Sequence, residues 1–158
     1  MQDPKKFRRS LGRFATGVTV ATCTGADGEP FGLTVNSFSS VSLEPPLVLW
    51  NIAKVSRSLE AFLEASHFGV NVLARDQRDL AAHFARSATG LFEGISFHRT
   101  GHGVPLLDSS LAWFECRSYQ RHDCGDHYIL VGEVIAYDAA DGDPLLFYRG
   151  DYAVLSDG

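Results

Sequence analysis

The sequence predicts a mainly β protein, an antiparallel barrel with helices attached at its periphery. Three observations lead there. Runs rich in β-branched and aromatic residues fill the early and late parts of the chain. Two short segments with helical spacing lie between them. The resulting order of strands, then helices, then strands is no regular β–α alternation, which disfavours a doubly wound parallel sheet.

Each element has its own reason. Asp3 can cap a helix with Pro4 in its first turn, and Phe7, Leu11 and Phe14 recur at helical spacing up to a stop at Gly17. Val18 to Thr24 is β-branched and reads as a strand, turned by Gly25-Ala26-Asp27-Gly28 into the next. The apolar run Phe31 to Val35 breaks into a patch of small hydroxyl and amide side chains, Asn36 to Ser42. Pro45-Pro46 ends the patch, and the apolar run Leu47 to Ile52 follows. Ser56 begins a short helix with Leu59, Phe62 and Leu63 on one face. Phe68 to Leu73 is a strand, and a helix with Leu80, Ala81 and Phe84 along one side comes after it. Ala85 to Val104 is long and glycine-dotted, the mark of a functional or mobile loop. Strands then run from Leu111 to Gln120, Tyr128 to Tyr137 and Leu145 to Arg149, with turns at Asp123–Asp126 and near Asp141–Pro144.

The 158 residues are expected to form a single domain, 1–158, large enough to bury a real core. A net charge of −5 argues against a nucleic-acid partner, and no apolar run approaches the length of a membrane span. The basic N-terminus has no apolar stretch behind it, so it does not read as a secretory signal. Three cysteines cannot all pair within one chain, which points to a reducing cytoplasm. Cys23 and Cys116 fall in apolar strands as small core residues, whereas Cys124 lies in a turn.

Two segments carry the candidate chemistry. Short side chains at Thr34-Val35-Asn36-Ser37 let backbone N–H groups approach a ligand, and the same composition also suits an ordinary polar turn. Cys124-Gly125-Asp126-His127 leads straight into an apolar strand, so His127 stands where a side chain can face a pocket or be satisfied within a hairpin. Ser56-Arg57-Ser58 combines hydroxyls with a guanidinium; it reads either as an anion site or as a helix cap beside a solvated charge. His122, Asp123, Cys124, Asp126 and His127 crowd together, but their spacing fits no standard zinc pattern and no metal is expected. No G-x-G-x-x-G follows a strand, so any nicotinamide binds outside a Rossmann site.

Six segments in order resemble the flavin reductase-like family, the short-chain NAD(P)H:flavin oxidoreductases that supply reduced flavin to two-component monooxygenases. They are Phe14 to Val20, the Thr-x-Asn-Ser-Phe-x-Ser-Val-Ser-x-x-Pro-Pro stretch from Thr34, Ser56 to Ser58, Phe68 to Leu73, Gly125 to His127, and Pro144 to Gly150. The resemblance covers nearly the whole chain. It implies an FMN-binding split β-barrel, Greek-key-like and roughly six-stranded, and a homodimer. It also implies FMN or FAD as cofactor, NADH as reductant with NADPH as the alternative, and a flavin-dependent monooxygenase as recipient.

By the same resemblance Thr34, Val35, Asn36 and Ser37 lie along the isoalloxazine, Asn51, Phe92 and Tyr148 contribute to the flavin site, and Ser56, Arg57 and Ser58 hold phosphate. His127 is the catalytic choice, as a positioning and electrostatic residue, because hydride transfer itself needs no protein acid or base. Asp126 fixes the turn or orients the imidazole. The chain departs from the family at Leu91, where a basic residue is frequent and Arg86 can substitute, and at Asp151, which leaves Arg149 without a basic neighbour in sequence. The rival reading is a flavin-binding carrier or electron-relay module without efficient NAD(P)H oxidation.

Overall fold

The computed structural model describes residues 3–157. A first helix, α1 (Pro4–Leu11), precedes a short strand β1 (Thr16–Gly17) and the strands β2 (Thr19–Thr24), β3 (Pro30–Val35), β4 (Ser39–Leu43) and β5 (Pro46–Ala53). Two helices, α2 (Leu59–Glu64) and α3 (Arg78–Phe84), flank β6 (His67–Val72). The hairpin β7 (Phe97–Arg99) and β8 (Pro105–Leu107) precedes the long strands β9 (Ala112–Cys124) and β10 (His127–Ala139). A final hairpin pairs β11 (Leu145–Tyr148) with β12 (Asp151–Val154).

Seven of these strands form one antiparallel sheet in the order β3-β2-β6-β9-β10-β5-β4, one strand more than the family resemblance implies. The sheet must curl on itself. Laid flat, its edge strands would stand about 29 Å apart at ~4.8 Å per step. Yet residues 36–38 alone join the two edges, β3 and β4, and four Cα steps reach at most about 14 Å. Trp50 of β5 also packs edge-on against Phe68 of β6, three strands away in the sheet order, at 6.1 Å between ring centroids. The curl gives a split barrel around Trp50, Ile52, Phe62, Phe68, Val70 and Leu130.

β2 is buried on both faces. Ala21 and Cys23 point into the barrel, while Val18 and Val20 meet a second cluster with Leu73, Ala81, Phe84, Phe92, Leu107 and Leu145. That second cluster fastens α3 and the three-stranded sheet β1-β11-β12 to the barrel wall. Asn71, fully buried, ties the layers together. Its Nδ2 donates to the Val20 carbonyl at 2.9 Å, and its Oδ1 accepts from the Leu107 N–H at 2.9 Å.

Four details depart from the sequence expectations. α1 ends at Leu11 with Gly12 as cap, well before Gly17, and its spaced apolar residues are not buried: Phe7, Leu11 and Phe14 are 56%, 59% and 79% exposed. α2 begins at Leu59, not Ser56, because the Ser56 hydroxyl accepts from the Ser58 N–H and closes a turn of its own. The stretch 85–104 is no open loop: Phe92 is buried against Phe84 and Phe97, and β7 with its turn toward β8 lies within it. The polar patch contains an edge strand, β4. Among the described residues, no helix is long and apolar enough to cross a membrane.

Candidate flavin and nicotinamide site

Strand alternation builds the floor of the main cavity. On β5, Trp50 and Ile52 face the core, so Asn51 and Ala53 face the other way. On β10, Leu130 faces the core, so Ile129 and His127 share the side of Asn51 and Ala53. The register aligns them: Ile129 opposite Asn51, His127 opposite Ala53, and Cys124 of β9 opposite His127. The end of β3 and its exit, Leu33 to Ser37, form the facing wall, and Ser56 closes one side. The enclosed volume is about 510 Å³, within the range of small-molecule sites.

The wall is held by specific bonds. Ser37 Oγ accepts from the Asn51 N–H at 2.9 Å, joining the exit of β3 to β5. Thr34 Oγ1 donates to the Ala81 carbonyl on α3 at 2.6 Å, so Thr34 offers the cavity its backbone rather than its hydroxyl. Asn36 is exposed. Asn51 Oδ1 is buried and has no hydrogen-bond partner among the described residues. A buried acceptor left unpaired costs about 1–3 kcal/mol, so this atom fits a ligand with a donor N–H. A flavin ring has such a donor on its pyrimidine edge, and an amide oxygen is a suitable acceptor for it.

His127 stands at the mouth, with its side chain 44% exposed, and Nδ1 lies 2.7 Å from Asp126 Oδ1. That partner is an ionised carboxylate, which only accepts, so Nδ1 carries the proton and donates. Nε2 has no partner among the described residues. The hydrogen bond from His127, and then its charge, hold the Asp126 carboxyl below its ordinary value. A carboxyl depressed in the folded chain contributes stability above its unfolded pKa and loses it as pH falls through the folded one. The Asp126 midpoint is therefore expected below about 3.9, the ordinary Asp value, in a carbon-13 NMR titration. A midpoint at or above that value would mean that the pair does not form in solution.

A second cavity of about 290 Å³ lies across the 56–58 turn, lined by Arg57, Ser58, Gly32, Thr89, Gly90 and Leu91 among others. Arg57 is exposed and has no side-chain partner among the described residues. Asp27 and Glu29 line the same space. The helix α2 adds little here, since it starts after Ser58 and Ser58 makes no side-chain cap bond.

The structure thus gathers Thr34, Val35, Asn36, Ser37, Asn51, Ser56 and His127 around one cavity and sets Arg57 and Ser58 beside it. It leaves two expected residues out. Phe92 is 7% exposed and packs beneath Gly32, where a Cβ would come within 3.1 Å of its ring. Tyr148 ends β11 in the separate three-stranded sheet, with the Arg149 guanidinium 5.9 Å over its ring. Arg86 lines neither cavity. Leu33, Ala53, Cys124 and Ile129 are lining residues beyond the sequence choices, and period-two counting from Asn51 and His127 reaches Ala53 and Ile129. The cluster around residue 122 is dispersed into pairs: Lys54 with Asp123, His122 with Gln120, and His127 with Asp126.

Known proteins resemble this chain in sequence and fold. The family described as Flavin reductase like domain matches residues 11–156. The FMN reductase (NADH) SmoA of Agrobacterium fabrum is 48% identical over 155 residues, 98% of this chain and 88% of its own length. The reductase component of a flavin-dependent trigonelline monooxygenase from Acinetobacter baylyi is 44% identical over 94% of this chain, which spans only 48% of that relative. Among solved structures, the NADH:FAD oxidoreductase SgcE6 of Streptomyces globisporus, in complex with NAD and FAD fragments, superposes with a TM-score of 0.92. It is 36% identical and covers 99% of this chain and 97% of its own. With the family match running almost end to end over a cavity of this build, the chain belongs to the flavin reductase-like family.

Proposed function

We propose that the protein is an NAD(P)H:flavin oxidoreductase that reduces FMN or FAD and supplies the reduced flavin to a partner flavin-dependent monooxygenase. The observation that carries this reading is the open cavity that Asn51, the 34–37 segment and His127 line together. When bound, the flavin supplies the acceptor for a hydride from the reduced nicotinamide. Asn51 and the 34–37 segment orient the ring edge and stabilise charge that develops there. The Arg57 guanidinium neutralises a phosphate at the neighbouring cavity, and the Ser58 hydroxyl donates to it. His127, held by Asp126, positions the nicotinamide at the open side.

The half-exposed His127 leaves room for a second ring, which favours a reductase over a closed carrier. The test is anaerobic addition of NADH to the flavin-loaded protein, with FMN and FAD in turn. Bleaching of the yellow colour is expected within the mixing time or shortly after it. Flavin that binds but stays oxidised under NADH and NADPH would identify a carrier instead.

A thiol gives an independent check of where flavin sits. Burial pushes the Cys23 and Cys116 thiols up to about 12, so neither reacts readily near neutral pH. Cys124 is exposed and lines the main cavity. Maleimide is expected to label Cys124 alone, and saturating FMN is expected to slow that labelling severalfold. Equal labelling rates with and without flavin would remove the ring from this cavity.

The protein works in our reading as a cytoplasmic homodimer. Leu43 of β4 is 94% exposed, Tyr137 of β10 74% and Phe14 79%, more large apolar surface than a solitary domain usually leaves in water. Light scattering is expected to give twice the chain mass, 2 × 17.3 kDa. A monomer with full activity would refute the dimer.

A further inference from the structure

We infer that the cleft between α1 and the β11–β12 turn is a binding site for a pyrophosphate group, separate from the flavin cavity. The cleft encloses about 460 Å³ and is lined by Lys5, Arg8, Arg9, Arg13 and Arg149, with Gly12 and Gly150 as its only other lining residues. It shares no lining residue with the two cavities of the flavin site. Arg149 looks isolated in sequence, next to Asp151, but the fold brings it to the basic helix. The Arg149 N–H donates to the Gly12 carbonyl at 2.9 Å, and Asp151 is turned away into a pair with Arg78.

Charge accounting within the fold singles this cleft out. Elsewhere the guanidinium groups are mostly engaged: Arg75 with Asp143 and Asp157, Arg117 with Glu133, Arg99 with two carbonyls and Thr24, and Arg121 with the Leu63 carbonyl. None of the five cations of the cleft has a side-chain hydrogen bond or carboxylate partner among the described residues, and no carboxylate lines it. This happens in a chain whose net charge is −5. Arg8 and Arg9 do favour the negative end of the α1 dipole, but Lys5 lies in its first turn and Arg149 belongs to another element. Helix-dipole compensation therefore does not explain the convergence.

The lining points to phosphate rather than to a carboxylate-rich protein. Four of the five cations are arginines, whose planar forks pair bidentately with phosphate oxygens. Two glycines let the ligand approach the backbone, and the volume suits a small molecule rather than an extended surface. A pyrophosphate group, free or within a nucleotide such as ADP, has the charge and size for it.

Titration calorimetry of inorganic pyrophosphate into the FMN-loaded protein tests the site, with ADP in a second arm to identify a nucleotide source. Saturable binding is expected, weakened about tenfold or more in Arg8→Gln/Arg13→Gln, in line with lost charge-assisted bonds. A second pair, Lys5→Gln/Arg9→Gln, is expected to do the same, and both are expected to keep the parental flavin affinity and circular dichroism. Absence of saturable binding, or binding unchanged in both pairs, would overturn the assignment. So would tighter binding of hexaglutamate or of phosphatidylserine vesicles than of pyrophosphate, which would make the cleft a docking surface for acidic protein or for membrane.

Discussion

Replacing Asn71 by Leu is expected to lower the unfolding free energy by roughly 2–5 kcal/mol while leaving the flavin cavity unlined by any change. The substitution keeps the volume and removes the amide. It strips the Leu107 N–H of its acceptor and the Val20 carbonyl and Thr22 hydroxyl of a donor, all at a site with no exposed surface. Each orphaned buried group costs about 1–3 kcal/mol, against a total stability on the order of 5–15 kcal/mol for a domain. Urea unfolding of the flavin-free protein measures the effect, and the melting temperature is expected to drop by about 10 °C. A loss under about 1 kcal/mol would mean that water or a local shift satisfies those groups. Asn71 belongs to the segment Phe68 to Leu73 that marks the family resemblance. It lines neither cavity of the flavin site, and its bonds to Val20 of β2 and Leu107 of β8 make it a structural tie and not a ligand contact.

What the sequence made legible was local. Runs of β-branched and apolar residues located β2, β5, β6 and β10, and the register of β5 against β10 then sets Asn51 and His127 on one cavity floor. The Gly125 turn, with φ of +64°, fixed where β10 begins and so where His127 stands. What failed depended on distant neighbours. The spacing of Phe7, Leu11 and Phe14 predicts a buried helix face, yet nothing in the described chain covers it, so periodicity named a stripe without naming its partner. Glycines between Ala85 and Val104 suggest mobility, but Phe92 has Phe84 and Phe97 to pack against, and that burial decides the matter. Ser56 looked like a helix cap because Ser caps are frequent; its hydroxyl instead meets the Ser58 N–H two residues on. The basic cleft needed the greatest separation of all, since Arg13 and Arg149 lie far apart in sequence and line one cleft through the pairing of β1 with β11.

The two ends of the flavin site are expected to separate under mutation. Arg57→Ala removes an exposed guanidinium that has no side-chain partner among the described residues, so its loss should not disturb the fold. If it meets the flavin phosphate, affinity falls about tenfold or more, the equivalent of one charge-assisted hydrogen bond at roughly 1.5–3 kcal/mol. The ring is untouched, so flavin that does bind accepts hydride at a near-normal rate. His127→Ala does the reverse. Its neighbours Ala53, Ile129 and Asn51 still form the floor, so flavin affinity holds within a factor of about two, while the nicotinamide loses its positioning partner. The ratio kcat/KM for NADH is expected to fall about tenfold to a hundredfold by the same hydrogen-bond arithmetic. Asp126→Asn should give a smaller loss in the same direction, because it weakens the restraint on Nδ1 without removing the imidazole. Flavin titrations beside anaerobic stopped-flow reduction measure both quantities on each variant. An Arg57→Ala protein with unchanged flavin affinity would move the phosphate elsewhere. A His127→Ala protein reduced as fast as the parent at every NADH concentration would leave the open side of the ring without a protein partner. Because the two variants act on different measured constants, one assignment can fail while the other stands.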